Sequence, residues 1–127
     1  MNTPALLISA ALTACAFSAH ATEPSSRLAA AFGNTVMSIY SDGRSQKVWL
    51  QPDGTWSGLS RAGNPLSGKW TLKGEKVCLR QSRPPTLPIS FCQALPSDPQ
   101  AGIDSKDIIG RPIHIKLVKG HVAKAPG

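Results

Sequence analysis

From Asn34 onward, apolar and polar residues alternate in short runs, each closed by a turn signal. "TVMSIY" meets "SDGR", "QKVWL" meets "QPDGT", "WSGLS" meets "RAGNP" and "GKWTL" meets "KGEK"; "KVCLRQ" then meets "SRPPTLP" ahead of "ISFCQAL". Period-two alternation with a reversal about every ten residues predicts a meander of antiparallel strands. "PIHIKLV" alternates cleanly and is the predicted last strand. The stretch from Pro96 to Pro112 is looser, and "IDSKDIIG" within it reads as a helical turn or a short strand. Ser25 to Phe32, "SSRLAAAF", predicts one short helix, capped by Ser25 or Ser26 and ended by Gly33, with a frayed lead-in as the alternative. The expected fold is therefore all-β, with a lead-in or short helix over 22–33. An antiparallel meander of about 6–8 short strands should then form a single domain over 34–120, a small barrel or sandwich. A frayed tail is expected over 121–127.

Turn length decides which side chains share a face, because a slip of one residue inverts a strand. Asp42-Gly43 and Asp53-Gly54 read as two-residue loops with both positions at positive φ. That choice places Met37 opposite Val48, Val36 opposite Trp49, Val48 opposite Leu59 and Trp49 opposite Gly58. Between Lys73 and Lys76 the turn is Lys-Gly or Gly-Glu; the second pairs Leu72 with Val77 and Trp70 with Leu79. One face then collects Met37, Ile39, Val48, Leu50, Leu59, Trp70, Leu72, Val77 and Leu79 as the expected core. Ile113, Ile115 and Leu117 are available to cover it. The other face carries Val36, Tyr40, Lys47, Trp49, Trp56, Lys69, Lys76, Cys78 and Arg80. Parity across Ala62–Pro65 stays open; a change there moves Lys69 and Arg80 to the other side of the sheet from Trp49.

The first 21 residues contain no Lys, Arg, Asp or Glu. Ala5 to Phe17 is apolar, and Ala19-His20-Ala21 has the small-x-small form of a signal peptidase site, so 1–21 reads as a signal peptide. Leu12-Thr13-Ala14-Cys15 resembles a lipoprotein box, making a lipid anchor through Cys15 the alternative. The apolar residues continuing through Ala16 and Phe17 favour cleavage after Ala21. The mature chain is expected in the periplasm or secreted, with no transmembrane segment. Cys78 and Cys92 are then an even pair in an oxidising compartment, and a disulfide is the default. Closing so short a loop contributes on the order of 3 kcal/mol in the chain-entropy picture.

Lys and Arg number 14 against 7 Asp and Glu, a formal net charge of +7. This balance favours anionic partners. For an exported chain these are an anionic envelope component or an acidic protein; no nucleic-acid motif is present. Aromatic rings beside cations can stack on sugars or flat ligands while the cations hold anionic groups. Tyr40, Lys47, Trp49, Trp56, Lys69 and Arg80 are accordingly the candidate ligand-binding residues. Catalytic patterns are weak. Gly58-Leu59-Ser60-Arg61-Ala62 lacks the final glycine of a nucleophile elbow. His114 and His121 match no common zinc spacing, and the last strand offers no acid to orient them. Asp104 and Asp107 read as capping residues. No catalytic residue, metal site or cofactor is assigned. The expectation is a non-catalytic exported binding module. The alternative is a small-ligand carrier with a lipocalin-like internal pocket, which requires a cavity of at least a few hundred Å³.

Trp49, Asp53-Gly54-Thr55, Gly68-x-Trp70, Gly74 and Cys78 together resemble the small uncharacterised exported β-proteins of Gram-negative bacteria. In texture the chain is also similar to lipocalin-like half barrels and to small periplasmic inhibitors. These are turn and core positions, so the resemblance implies a fold and brings no active site with it.

Overall fold

The computed structural model describes residues 23–123 of the chain; the predicted signal peptide, Cys15 and the last four residues lie outside them. A helix, α1 (Glu23–Ala31), precedes eight strands: β1 (Thr35–Tyr40), β2 (Ser45–Leu50), β3 (Thr55–Leu59), β4 (Pro65–Lys73), β5 (Lys76–Arg83), β6 (Ser90–Ala94), β7 (Ile103–Lys106) and β8 (Pro112–Val118). The helix begins two residues ahead of the predicted Ser25. It accommodates Pro24 because N–H groups of the first turn have no intrahelical acceptor. Gly33, at φ 76°, lies just past its end.

All eight strands form one antiparallel sheet in the order β6-β5-β4-β3-β2-β1-β8-β7. Because β8 returns to pair with β1, the sheet curls into a nearly closed barrel. The seam falls between β6 and β7. There the Gln93 side chain donates from Nε2 to the Lys106 carbonyl at 3.1 Å. "IDSKDIIG" resolves into a short strand followed by a turn, the second of its two readings.

The aspartate–glycine reversals are one residue longer than expected. Tyr40 N–H donates to Arg44 C=O and Gly43 N–H to Tyr40 C=O, which encloses Ser41-Asp42-Gly43. The same pair of bonds encloses Pro52-Asp53-Gly54, Arg61-Ala62-Gly63 and Ile108-Ile109-Gly110. In each only the glycine has positive φ, at 84°, 90°, 84° and 86°, and among the described residues no non-glycine residue does. This is the three-residue hairpin with glycine at its third position. The extra residue shifts β1 against β2, so that Val36 faces Val48 and Met37 faces Lys47. Leu50 likewise faces Trp56 across β2 and β3. The predicted faces of β1 and β3 are thereby exchanged. Val36, Tyr40 and Trp56 turn inward with Val48 and Leu50, while Met37, Ile39 and Leu59 turn outward. The β4–β5 turn is Gly74-Glu75, the second of the two readings left open by the sequence, and Trp70 pairs with Leu79 and Leu72 with Val77.

α1 closes one end of the barrel. Leu28 and Ala31 are buried in one cluster with Val48, Leu50, Trp56, Val77, Leu95 and Leu117, and Phe32 meets Trp70 at 6.0 Å between ring centroids. His121 and Val122, expected to fray, are pinned with Gly120 beside that end. The Thr35 hydroxyl, fully buried, donates to Gly120 C=O at 2.7 Å. It accepts from the Trp49 indole at 2.9 Å and from Val122 N–H at 2.8 Å, so its single proton and both lone pairs are used. His121 stacks on Trp49 at 3.8 Å. On the outer parity of β5 and β6, Cys78 and Cys92 are directly opposed and form the disulfide.

Two strand glycines permit the curl. A Cβ at Gly58 would run into the Lys47 carbonyl, and one at Gly68 into the Arg80 carbonyl and the Trp56 indole. Gly68 also sits at the register shift between β4 and β5, where bare backbone allows a tight bend. Gly68→Ala is expected to destabilise the protein by about 1–3 kcal/mol. Chemical denaturation would show it as a lower midpoint at unchanged slope.

Candidate functional site

The eight-stranded curl leaves a cavity of about 550 Å³ inside the barrel. Its walls are mostly apolar: Val36, Val48, Leu50 and Trp56 from β1–β3, Val77, Leu79 and Phe91 from β5 and β6, and Ile113 and Ile115 from β8. Val36, Val48 and Leu50 alternate with outward residues along their strands, so the lining follows directly from the three-residue turns. α1 lies across the deep end. At the other end the reversals β1–β2, β3–β4 and β7–β8 and the β5–β6 loop surround the mouth, because strand direction alternates around the sheet.

Charge converges on that mouth. Tyr40 ends β1, and its hydroxyl donates to Asp107 Oδ2 at 3.1 Å. The Arg61 guanidinium, from the β3–β4 turn, lies 4.1 Å above the Tyr40 ring centroid, and the Arg111 guanidinium lies 5.4 Å from it. Arg111 Nε donates to Asp107 Oδ2 at 2.9 Å. Asp107 Oδ1 also accepts from the N–H groups of Ile109 and Arg111, so this carboxylate organises its own turn. Burial acts to raise the Asp107 pKa, but the bonds from Arg111, Tyr40 and Ile109 outweigh it and hold the carboxyl below its ordinary range. Burial first, then the bond to Asp107, pushes the Tyr40 phenol up in spite of both arginines. The Asp107 side chain is 7% exposed and answers Arg111, whereas Arg61 has no carboxylate at ion-pair distance among the described residues. A cation with an unused guanidinium edge therefore stands where the apolar cavity opens.

The candidate residues from the sequence do not share one surface. Tyr40 and Trp56 belong to the cavity wall. The Trp56 indole is 3% exposed and shared between the carbonyls of Lys69 and Arg80, at 3.1 and 3.3 Å. Trp49 faces outward as expected, but only 8% of it is exposed beneath His121. Lys47 is buried, its ammonium donating to Ser45 Oγ at 3.2 Å. Lys69 and Arg80 remain exposed, side by side across β4 and β5. The expected ring-and-cation face is thus divided among interior, exterior and covered positions.

Arg61, Asp107 and Arg111 were not singled out as ligand-binding residues in the sequence. The available signal was Asp107, which precedes an Ile-Ile-Gly turn just as Tyr40 precedes Ser-Asp-Gly. His114 does find an acid, on the neighbouring strand rather than its own: Nδ1 lies 2.8 Å from Asp104 Oδ1. Its Nε2 lies 2.9 Å from the Ala101 carbonyl. Both ring nitrogens are occupied, so the pair clasps β7 to β8 and leaves no free nitrogen to act as a base. Among the described residues no group of His, Cys, Asp and Glu side chains is placed to hold a metal ion.

The chain matches no family model, no curated protein and no solved structure.

The lowered Asp107 pKa fixes a sign. Stability from this carboxylate is present above its unfolded value, about 3.9, and is lost as pH falls through the lower folded value. Asp107→Asn should therefore show a smaller drop in thermal midpoint than the wild type when pH is taken from neutral to below about 4. Parallel melts at the two pH values measure the difference.

Proposed function

We propose that the protein is a non-catalytic binder of a small anionic amphiphile, such as a medium-chain fatty acid. Its apolar body fills the barrel, and its head group meets Arg61 at the mouth. The observation that carries this reading is the apolar cavity of about 550 Å³ opening on the Arg61–Tyr40–Arg111 cluster. Its volume lies within the roughly 300–1,000 Å³ typical of small-molecule sites, which pair apolar walls with a few placed polar groups. A guanidinium stacked on a ring keeps its N–H edge for a carboxylate or phosphate oxygen. Asp107 holds Tyr40 and Arg111 in place around that edge without contacting Arg61.

The binder works outside the cytoplasm. Cys78–Cys92 is a disulfide, and such bonds persist in oxidising compartments. Its finer location, periplasmic or secreted, belongs to the same proposal, with a lipid anchor at Cys15 as the variant form. Among the described residues no helix is long and apolar enough to cross a membrane. The broader reading, an outer sheet face for an anionic envelope glycan or acidic protein, retains Lys69 and Arg80 but lacks exposed rings beside them.

Dodecanoate is the test ligand, read by titration calorimetry and by the emission of Trp56 in the cavity wall. Saturable one-to-one binding is expected. Arg61→Ala should weaken dodecanoate about tenfold or more while leaving uncharged dodecanol within about twofold, since only the charge-assisted contact is removed. Leu79→Trp, which narrows the cavity, should weaken both. No heat and no change in emission with dodecanoate would remove the proposal.

A further inference from the structure

We propose that the barrel mouth docks on an anionic lipid bilayer, so that ligand passes between membrane and cavity without crossing water. The route relies on the cavity reading, whereas the docking itself stands on the surface alone. Large hydrophobic side chains are exposed at Leu72, Leu87, Ile89, Ile103, Ile108 and Ile109. Leu87 and Ile89 sit on the β5–β6 loop and Ile108 and Ile109 on the β7–β8 turn, the two segments flanking the seam between β6 and β7. Leu87 and Ile109 are the most exposed of all, at 73% and 69%.

Turn geometry does not require these residues. The three other reversals of identical form place Ser41-Asp42, Pro52-Asp53 and Arg61-Ala62 where this one places Ile108-Ile109, and only the glycine is common. The fold supplies its own control: the same backbone is built with polar or small residues everywhere except at the mouth beside the seam. Ile108, Leu87 and Ile89 also line the cavity, so the exposed apolar surface continues into the interior.

Charge around this prow is one-sided. Arg61, Arg83, Lys106 and Arg111 stand near it, and Asp107 is consumed by Arg111 and Tyr40. The other carboxylate at this end, Asp42, is held by Arg44 at 2.9 Å. Aliphatic tips beside an excess of cations over carboxylates match acyl chains beneath anionic head groups, and neither component suffices alone for firm attachment.

The test is co-sedimentation of the full chain with vesicles of phosphatidylcholine containing phosphatidylglycerol, against pure phosphatidylcholine. The wild type should bind the anionic vesicles and lose at least tenfold in affinity on pure phosphatidylcholine or in about 0.5 M salt. Ile109→Glu, at the one exposed apolar residue of the prow that does not line the cavity, should lose at least tenfold on the anionic vesicles while keeping wild-type dodecanoate binding in vesicle-free buffer and a wild-type circular dichroism spectrum. Equal vesicle binding by Ile109→Glu, or none by the wild type, overturns the proposal. So does loss in the variant of a wild-type dimer with no vesicle binding by either, which would assign the prow to a second copy of the chain. Vesicle binding that follows the expected pattern without dodecanoate binding would retain the docking surface and reject the cavity reading.

Discussion

A reversal of three residues, with only its glycine at positive φ, governs this protein. Side chains in a strand alternate with period two, so each added turn residue transfers a whole strand's side chains to the opposite face. The turns at Gly43, Gly54 and Gly63 all have this length. Together they point Val36, Val48, Leu50 and Trp56 into one space. The same turns point Met37 and Trp49 away from it, although both are large and apolar and would serve as core in another register.

The two ends of the barrel are then built for opposite purposes. At the closed end α1 lays Leu28 and Ala31 on the interior cluster, and Thr35 ties β1, Trp49 and the segment after β8 through one saturated hydroxyl. A buried hydroxyl with every bond made contributes order, whereas one left partly unsatisfied would cost stability. At the open end no element crosses the cavity among the described residues. What stands there is a planar ring with two guanidinium groups near it, fastened by a carboxylate whose bonds are mostly spent on its own turn. A closed, fully bonded end opposite an open, charged one is the division that the proposed binding role requires.

The disulfide adds a constraint at the side of the barrel that has no continuous ladder. β6 is an edge strand, joined to the sheet only through β5, and Cys78–Cys92 cross-links those two strands in register. Across the seam β7 is held by β8, by the clasp between His114 and Asp104, and by a side-chain bond from Gln93 to Lys106. Edge strands invite pairing with other chains. Here the two edges face each other closely enough for a side chain to span them, which limits that exposure without a full set of backbone bonds.

Alternation and turn residues in the sequence determined the all-β class, the meander and the run of strands from Thr35 to Val118. These are local properties: a Gly at a reversal and a period of two act within a few residues. The pairing of Cys78 with Cys92 was legible for the same reason, as were the opposite directions of Trp49 and Trp70. What only the tertiary structure decided was which face is interior. Asp-Gly satisfies both a two-residue and a three-residue reversal, and the difference of one residue is invisible in composition yet exchanges Val36 with Met37. It likewise decided the partners of Arg61 and His114, since Tyr40 meets Arg61 through the curl of the sheet and Asp104 faces His114 across the β7–β8 hairpin, and no periodicity within one strand encodes a neighbour on another.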